Sequence, residues 1–166
     1  MRSKRAAATL VAALTIAACV AASPPQTAVI VNSGSTNISG YTIKLASDGK
    51  GSLIVAPHGG SPGAPKAFSV PAATATKFFA DLAAARKVGL ATVPCMKSAS
   101  FGSSTHVTWE GWTSPDLSCP PKAPQGDALV ADIDAIRKAA GIGSVPLDGQ
   151  GGPIVEPSSA PPERQR

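Results

Sequence analysis

Two cysteines constrain this chain more than any other feature. Cys95 and Cys119 bracket the stretch CMKSASFGSSTHVTWEGWTSPDLSC, which also holds both tryptophans and one of the two histidines. Joined, they close a loop of roughly 25 residues and stabilise the fold by on the order of 3 kcal/mol, by restricting the unfolded chain. Structural zinc uses Cys pairs separated by two to four residues, and the chain has none. A disulfide is therefore the better reading than a metal site built from Cys95, Cys119 and a histidine. It requires an oxidising compartment.

The N-terminus supplies a route to one. Arg2, Lys4 and Arg5 precede an uncharged apolar run over residues 6–18. A run of about 13 residues suits the core of a signal peptide and is too short to span a bilayer. Residues 1–22 are read as that leader. Ile16-Ala17-Ala18-Cys19 resembles the lipobox of bacterial lipoproteins, whose cysteine is lipidated and becomes the mature N-terminus. The alternative is ordinary cleavage after Ala22, with Val20 and Ala22 at the recognition positions. Parity favours lipidation, because anchoring Cys19 leaves Cys95 and Cys119 as an even pair. The predicted address is the periplasm or cell envelope, with Cys19 as the membrane anchor.

Residues 23–26 form a short tether, and residues 27–142 a single domain. The Pro/Gly-rich tail, residues 143–166, lacks apolar periodicity and cannot bury enough surface to offset its ordering entropy. The formal net charge of +5 shrinks once the three leader cations are removed, leaving twelve basic against ten acidic groups. Those charges are scattered. Nucleic-acid binding, which needs clustered Lys and Arg to neutralise phosphates, is not expected.

Periodicity predicts the fold. Residues 27–31 are a β-branched run, and Tyr41, Ile43 and Leu45 alternate with Thr42 and Lys44, the pattern of a strand buried on one side. Asp48-Gly49 turns this strand onto residues 51–55 as a hairpin. Residues 57–65 (PHGGSPGAP) are a loop, with His58 a solvated histidine. A first helix opens at Val70-Pro71, presents Ala75, Phe78, Phe79 and Leu82 on one face, and stops at Gly89. Thr105, Val107 and Trp109 share one face of a second hairpin that turns at Glu110-Gly111. Asp116 after Pro115 bonds local backbone amides. The segment from Pro120 to Pro124 breaks the chain, Asp127 caps the second helix, and Leu129, Ile133, Ile136 and Ala140 form its apolar stripe. Asp132 and Asp134 face solvent in this reading. The predicted class is α+β: a small antiparallel sheet of four or five strands built from two hairpins, two helices on one face, and one disulfide. Val55, Leu53, Ile43, Leu45 and Val107 supply the sheet side of the core.

Catalytic signatures are sparse. No nucleophile elbow is read, since Gly59-Gly60-Ser61-Pro62-Gly63 lies in the Gly/Pro loop and not at a strand-to-helix turn, and Gly59-Gly60 and the glycines at 149–152 lack the strand-to-helix setting of a phosphate loop. His106, with Ser103, Ser104, Asp116 and Glu110 nearby in sequence, is the only cluster that a hydrolase could use. No catalytic set, cofactor or metal is predicted.

The order NSGST, GYTI, DGKGSL, a Pro-started Phe-Phe helix, CMKSASFGSSTHVTW, SPDLSCP and a final helix resembles uncharacterised secreted bacterial proteins over residues 28–142. Element order, two hairpins each followed by a helix, is similar to emfourin-type inhibitors of thermolysin-like metalloproteases. The first resemblance implies compartment and fold; the second implies protease inhibition, without a motif that matches residue by residue. The expected function is a non-catalytic secreted or lipid-anchored bacterial envelope protein that binds another envelope or secreted protein. A secreted protease inhibitor and a hydrolase centred on His106 are the alternatives. The expected contact surface is Trp112, Glu110 and His106.

Overall fold

The computed structural model describes residues 24–143, apart from Ala99 and Pro120. The leader, Cys19 and the tail from residue 144 lie outside the described residues. In chain order the elements are β1 (Thr27–Asn32), β2 (Gly40–Ala46), β3 (Lys50–Ala56), β4 (Lys66–Ser69), α1 (Ala72–Val88), β5 (Thr105–Trp109), β6 (Trp112–Thr113) and α2 (Pro124–Ala139). The six strands form one sheet in the order β4-β3-β2-β1-β5-β6, and every neighbouring pair is antiparallel.

Register follows from the alternation of side chains. Ile43 of β2 pairs with Leu53 of β3 and with Ile30 of β1, and Ile30 pairs with Val107 of β5. A one-residue slip in any pair would turn this apolar row to solvent. Both helices cover the same face. Phe78, Phe79 and Leu82 of α1 and Leu129, Ile133 and Ile136 of α2 join the sheet residues in one buried cluster. Phe79 meets Trp109 edge to face at 6.1 Å between centroids, and Arg137 of α2 lies over the Tyr41 ring at 5.5 Å. Truncating the fully buried Phe78 to Ala would cost about 3–5 kcal/mol.

Local chemistry sets the ends. Gly49 takes φ 85° in the first hairpin turn, where Asp48 Oδ1 accepts from the Lys50 amide (3.0 Å). The second hairpin turns on two residues with positive φ, Glu110 (47°) and Gly111 (74°), the type I′ arrangement that matches strand twist. Glu110 is held in this unusual conformation through its side chain, which accepts from Arg86 Nη1 (2.8 Å) and Gln26 Nε2 (3.2 Å). Arg86 also lies over the Trp109 ring (5.8 Å). Gln26, expected in a tether, is thereby tied to the sheet.

The α+β class, the two hairpins and the helices on one face agree with the sequence reading, while several details differ. The sheet has six strands rather than four or five, because residues 66–69, between the expected loop and the expected helix, add β4; Phe68 packs on the core from this strand. Val55 is 40% exposed, since the helices do not reach that end of β3. Pro71 occupies the N-cap of α1 rather than its first turn. In α2 the N-cap is Ala123, Pro124 begins the helix, and Asp127 falls in the first turn, where its charge suits the dipole. Asp132 faces α1 and is buried, with Lys77 Nζ 2.6 Å from its Oδ1. Lys77 also binds Asp81 (2.7 Å) and so clamps the two helices. Burial raises the Asp132 carboxyl above its ordinary value, against the pull of Lys77.

Candidate functional site

The sequence-predicted surface does not form one patch. Trp112 pairs with Trp109 across β5 and β6, which puts its side chain on the helix-covered face, half-buried against the core. His106 pairs with Val31 on the opposite, open face, and its Nδ1 donates to the Ser114 carbonyl (3.1 Å). Glu110 sits in the turn with Arg86 and Gln26. The residues that would make His106 a catalytic base are engaged elsewhere: Ser103 with Asn32, Ser104 with Lys97, and Asp116 with Lys97, Thr105 and Ser118. Among the described residues no group of three or more His, Cys, Asp or Glu side chains is placed to hold a metal.

A different part of the Cys95–Cys119 stretch stands out. Residues 90–98, between α1 and β5, carry neither helix nor strand. Cys95 is exposed and is bonded to the buried Cys119, with 5.6 Å between Cα atoms. Met96 beside it is fully exposed, at 101%. Phe101 follows on the same connection, so two of the five large exposed apolar side chains among the described residues lie within it.

What keeps Met96 outside is the anchorage on either side of it. On one side stands the disulfide. On the other, Lys97 Nζ donates to the Ser103 carbonyl (2.7 Å), to Ser104 Oγ (2.9 Å) and to Asp116 Oδ2. Asp116 is itself fixed, because its Oδ1 accepts from the Thr105 amide (3.0 Å) and the Ser118 amide (2.9 Å). Burial acts to raise its carboxyl, but Lys97 and these amides outweigh that and hold it below the usual aspartate value. The local Asp116–Ser118 bond is the one its position after Pro115 predicts; the reach to Lys97 is not visible in the sequence.

Beneath the loop, a polar network ties the connection to the β1–β2 turn. Asn32 Nδ2 donates to Ser103 Oγ (3.0 Å) and Thr105 Oγ1 (2.9 Å), and Ser118 Oγ meets Thr105 Oγ1 (3.0 Å). The Ser33 and Asn37 amides donate to the Ser104 and Ser100 carbonyls (2.9 and 3.1 Å). The Ser98 carbonyl accepts from the Gly102 amide at 2.7 Å; a Cβ at Gly102 would stand 2.5 Å from that carbonyl oxygen, so only glycine fits the bend.

An open cavity of about 550 Å³ at the C-terminal end of α2 is lined by Asp134, Arg137, Lys138 and Ile142. Its central cation, Arg137, is occupied by Asp134 (2.9 Å) and the Tyr41 ring. No described helix is long and apolar enough to cross a membrane. The disulfide is compatible with an exported protein. No family model, curated protein or solved structure matches this chain.

Proposed function

We propose that this chain is an exported, non-catalytic binding protein that inhibits a protease through residues 94–98, with Met96 as the side chain that enters the enzyme's specificity pocket. The leader, and Cys19 as a lipidated N-terminus, place it at the cell envelope, where secreted proteases are met. One observation carries the reading: the Met96–Lys97 peptide bond lies between two anchors, the Cys95–Cys119 disulfide and the three bonds of the Lys97 ammonium.

The chemistry follows from these anchors. A serine endopeptidase takes one substrate side chain into its S1 pocket and attacks the adjoining carbonyl, forming an acyl-enzyme and freeing the amine. Attack at Met96 would leave the acyl group tethered through Cys95 and the amine on Lys97. Both halves stay on one scaffold, so the amine keeps a high effective concentration at the ester and re-forms the bond faster than product departs. An unbranched thioether suits an apolar pocket.

The test is a titration of the oxidised mature chain against chymotrypsin-like and subtilisin-like enzymes with apolar S1 pockets, a trypsin-like enzyme and a thermolysin-like metalloprotease. Inhibition of an apolar-S1 enzyme is expected, weakened about 100-fold or more in Met96→Asp, since a carboxylate buried unpaired in that pocket is costly. Absence of inhibition across the panel at high micromolar protein sinks the reading. Inhibition confined to the trypsin-like enzyme and abolished by Lys97→Ala would move the contact to Lys97 and overturn the role given to Met96.

A further inference from the structure

We propose that Met96 is also an oxidation site, at which a hydroperoxide switches protease binding off; this rests on the inhibitory reading above. The argument is one of selectivity. The chain has two methionines, and the other is Met1 in the leader. Met96 offers its whole side chain to solvent. Sulfur elsewhere in the domain is committed, as Cys95 and Cys119 are joined. The oxidisable rings are shielded, Trp109 by burial and Trp112 by packing on the core. Among the described residues a mild oxidant therefore finds one accessible thioether, and it sits at the centre of the contact loop.

The step balances simply. A lone pair on the Met96 thioether sulfur attacks one oxygen of hydrogen peroxide. The O–O bond breaks, an S–O bond forms, and after proton transfer the second oxygen leaves as water. Sulfur is oxidised by two electrons to the sulfoxide and the peroxide is reduced by two. The product is polar, so its oxygen enters an apolar pocket without a hydrogen-bond donor and loses its water. Neither anchor is altered: the disulfide and the Lys97 bonds contain no thioether. The loop stays in place while its contact group changes character.

The experiment treats the mature, disulfide-intact chain with hydrogen peroxide and follows intact mass, the location of the added oxygen by peptide mass, and inhibition of the protease identified above. One added oxygen, on Met96, is expected to raise the inhibition constant at least tenfold. Met96→Leu removes the oxidisable sulfur, and the inhibition it retains should not respond to peroxide. Undiminished inhibition by chain fully converted to the Met96 sulfoxide overturns the switch alone. Equal loss in Met96→Leu also overturns it, by placing the sensitive group elsewhere. No inhibition by untreated chain sinks the protease reading and the switch with it, and the mass data distinguish that failure from the others.

Discussion

Two surface connections in this molecule have opposite constructions. Residues 57–65, between β3 and β4, are exposed throughout and are held by short-range backbone bonds: the Gly60 amide to the Pro57 carbonyl (3.1 Å) and the Gly63 amide to the Val55 carbonyl (2.9 Å). Residues 90–104 are tied to two other parts of the chain: the 116–119 bend, through the disulfide and the Asp116 carboxylate, and the end of β1 with the turn that follows it. The first connection is composed of Gly, Pro and small polar residues. The second displays Met96 and Phe101. The two differ in what they expose and in how far along the chain their bonds reach.

The contrast can be broken most severely at the disulfide. Replacing Cys95 and Cys119 together by Ser should lower stability by about 3 kcal/mol, read as a shift of the urea midpoint, and should weaken inhibition further as one anchor disappears. The same pair of readings should barely respond to insertion of Gly-Gly-Ser after Gly59. Doubling a flexible loop costs only about 0.6 kcal/mol.

Asp116 sharpens the comparison at smaller scale. Asp116→Asn removes the charge that holds Lys97 and should cost about 1–3 kcal/mol, together with a measurable loss of inhibition. It also carries a pH signature. Because the folded carboxyl titrates below its unfolded value, its contribution is present above the unfolded pKa of about 3.9. That contribution is lost as pH falls through the folded value. Urea midpoints of the parent and Asp116→Asn should therefore differ at neutral pH and converge near the acid end. A constant difference across that range would show that the charge is not what fixes the loop.

Much of the scaffold was legible in the sequence for a definite reason. Tyr41, Ile43 and Leu45 alternate across a strand, Asp48-Gly49 supplies its turn, and the stripes of α1 and α2 recur at helical spacing, so nearest-neighbour chemistry sufficed. β4 escaped because four residues after a Gly/Pro loop carry too little pattern; only its pairing to β3 makes it a strand. Asp132 looked solvent-facing because the cation that draws it inward, Lys77, belongs to the other helix. The contact loop was hidden for the same reason. Cys95 and Cys119 could be paired from composition and compartment, yet the outward turn of Met96 depends on Lys97 meeting Asp116 and on Asn32 lying beneath the connection. Trp112 was the residue expected outside, and its cross-strand partner Trp109 draws it toward the helices instead.

The outermost strands, β4 and β6, are four and two residues long, and β4 opens with a lysine. A border so short offers few unpaired amides and carbonyls for a foreign segment to continue. Self-templated growth into fibrils is discouraged at both margins. The same economy steers recognition: a partner must grip side chains, since the sheet has almost no backbone rim to lend it.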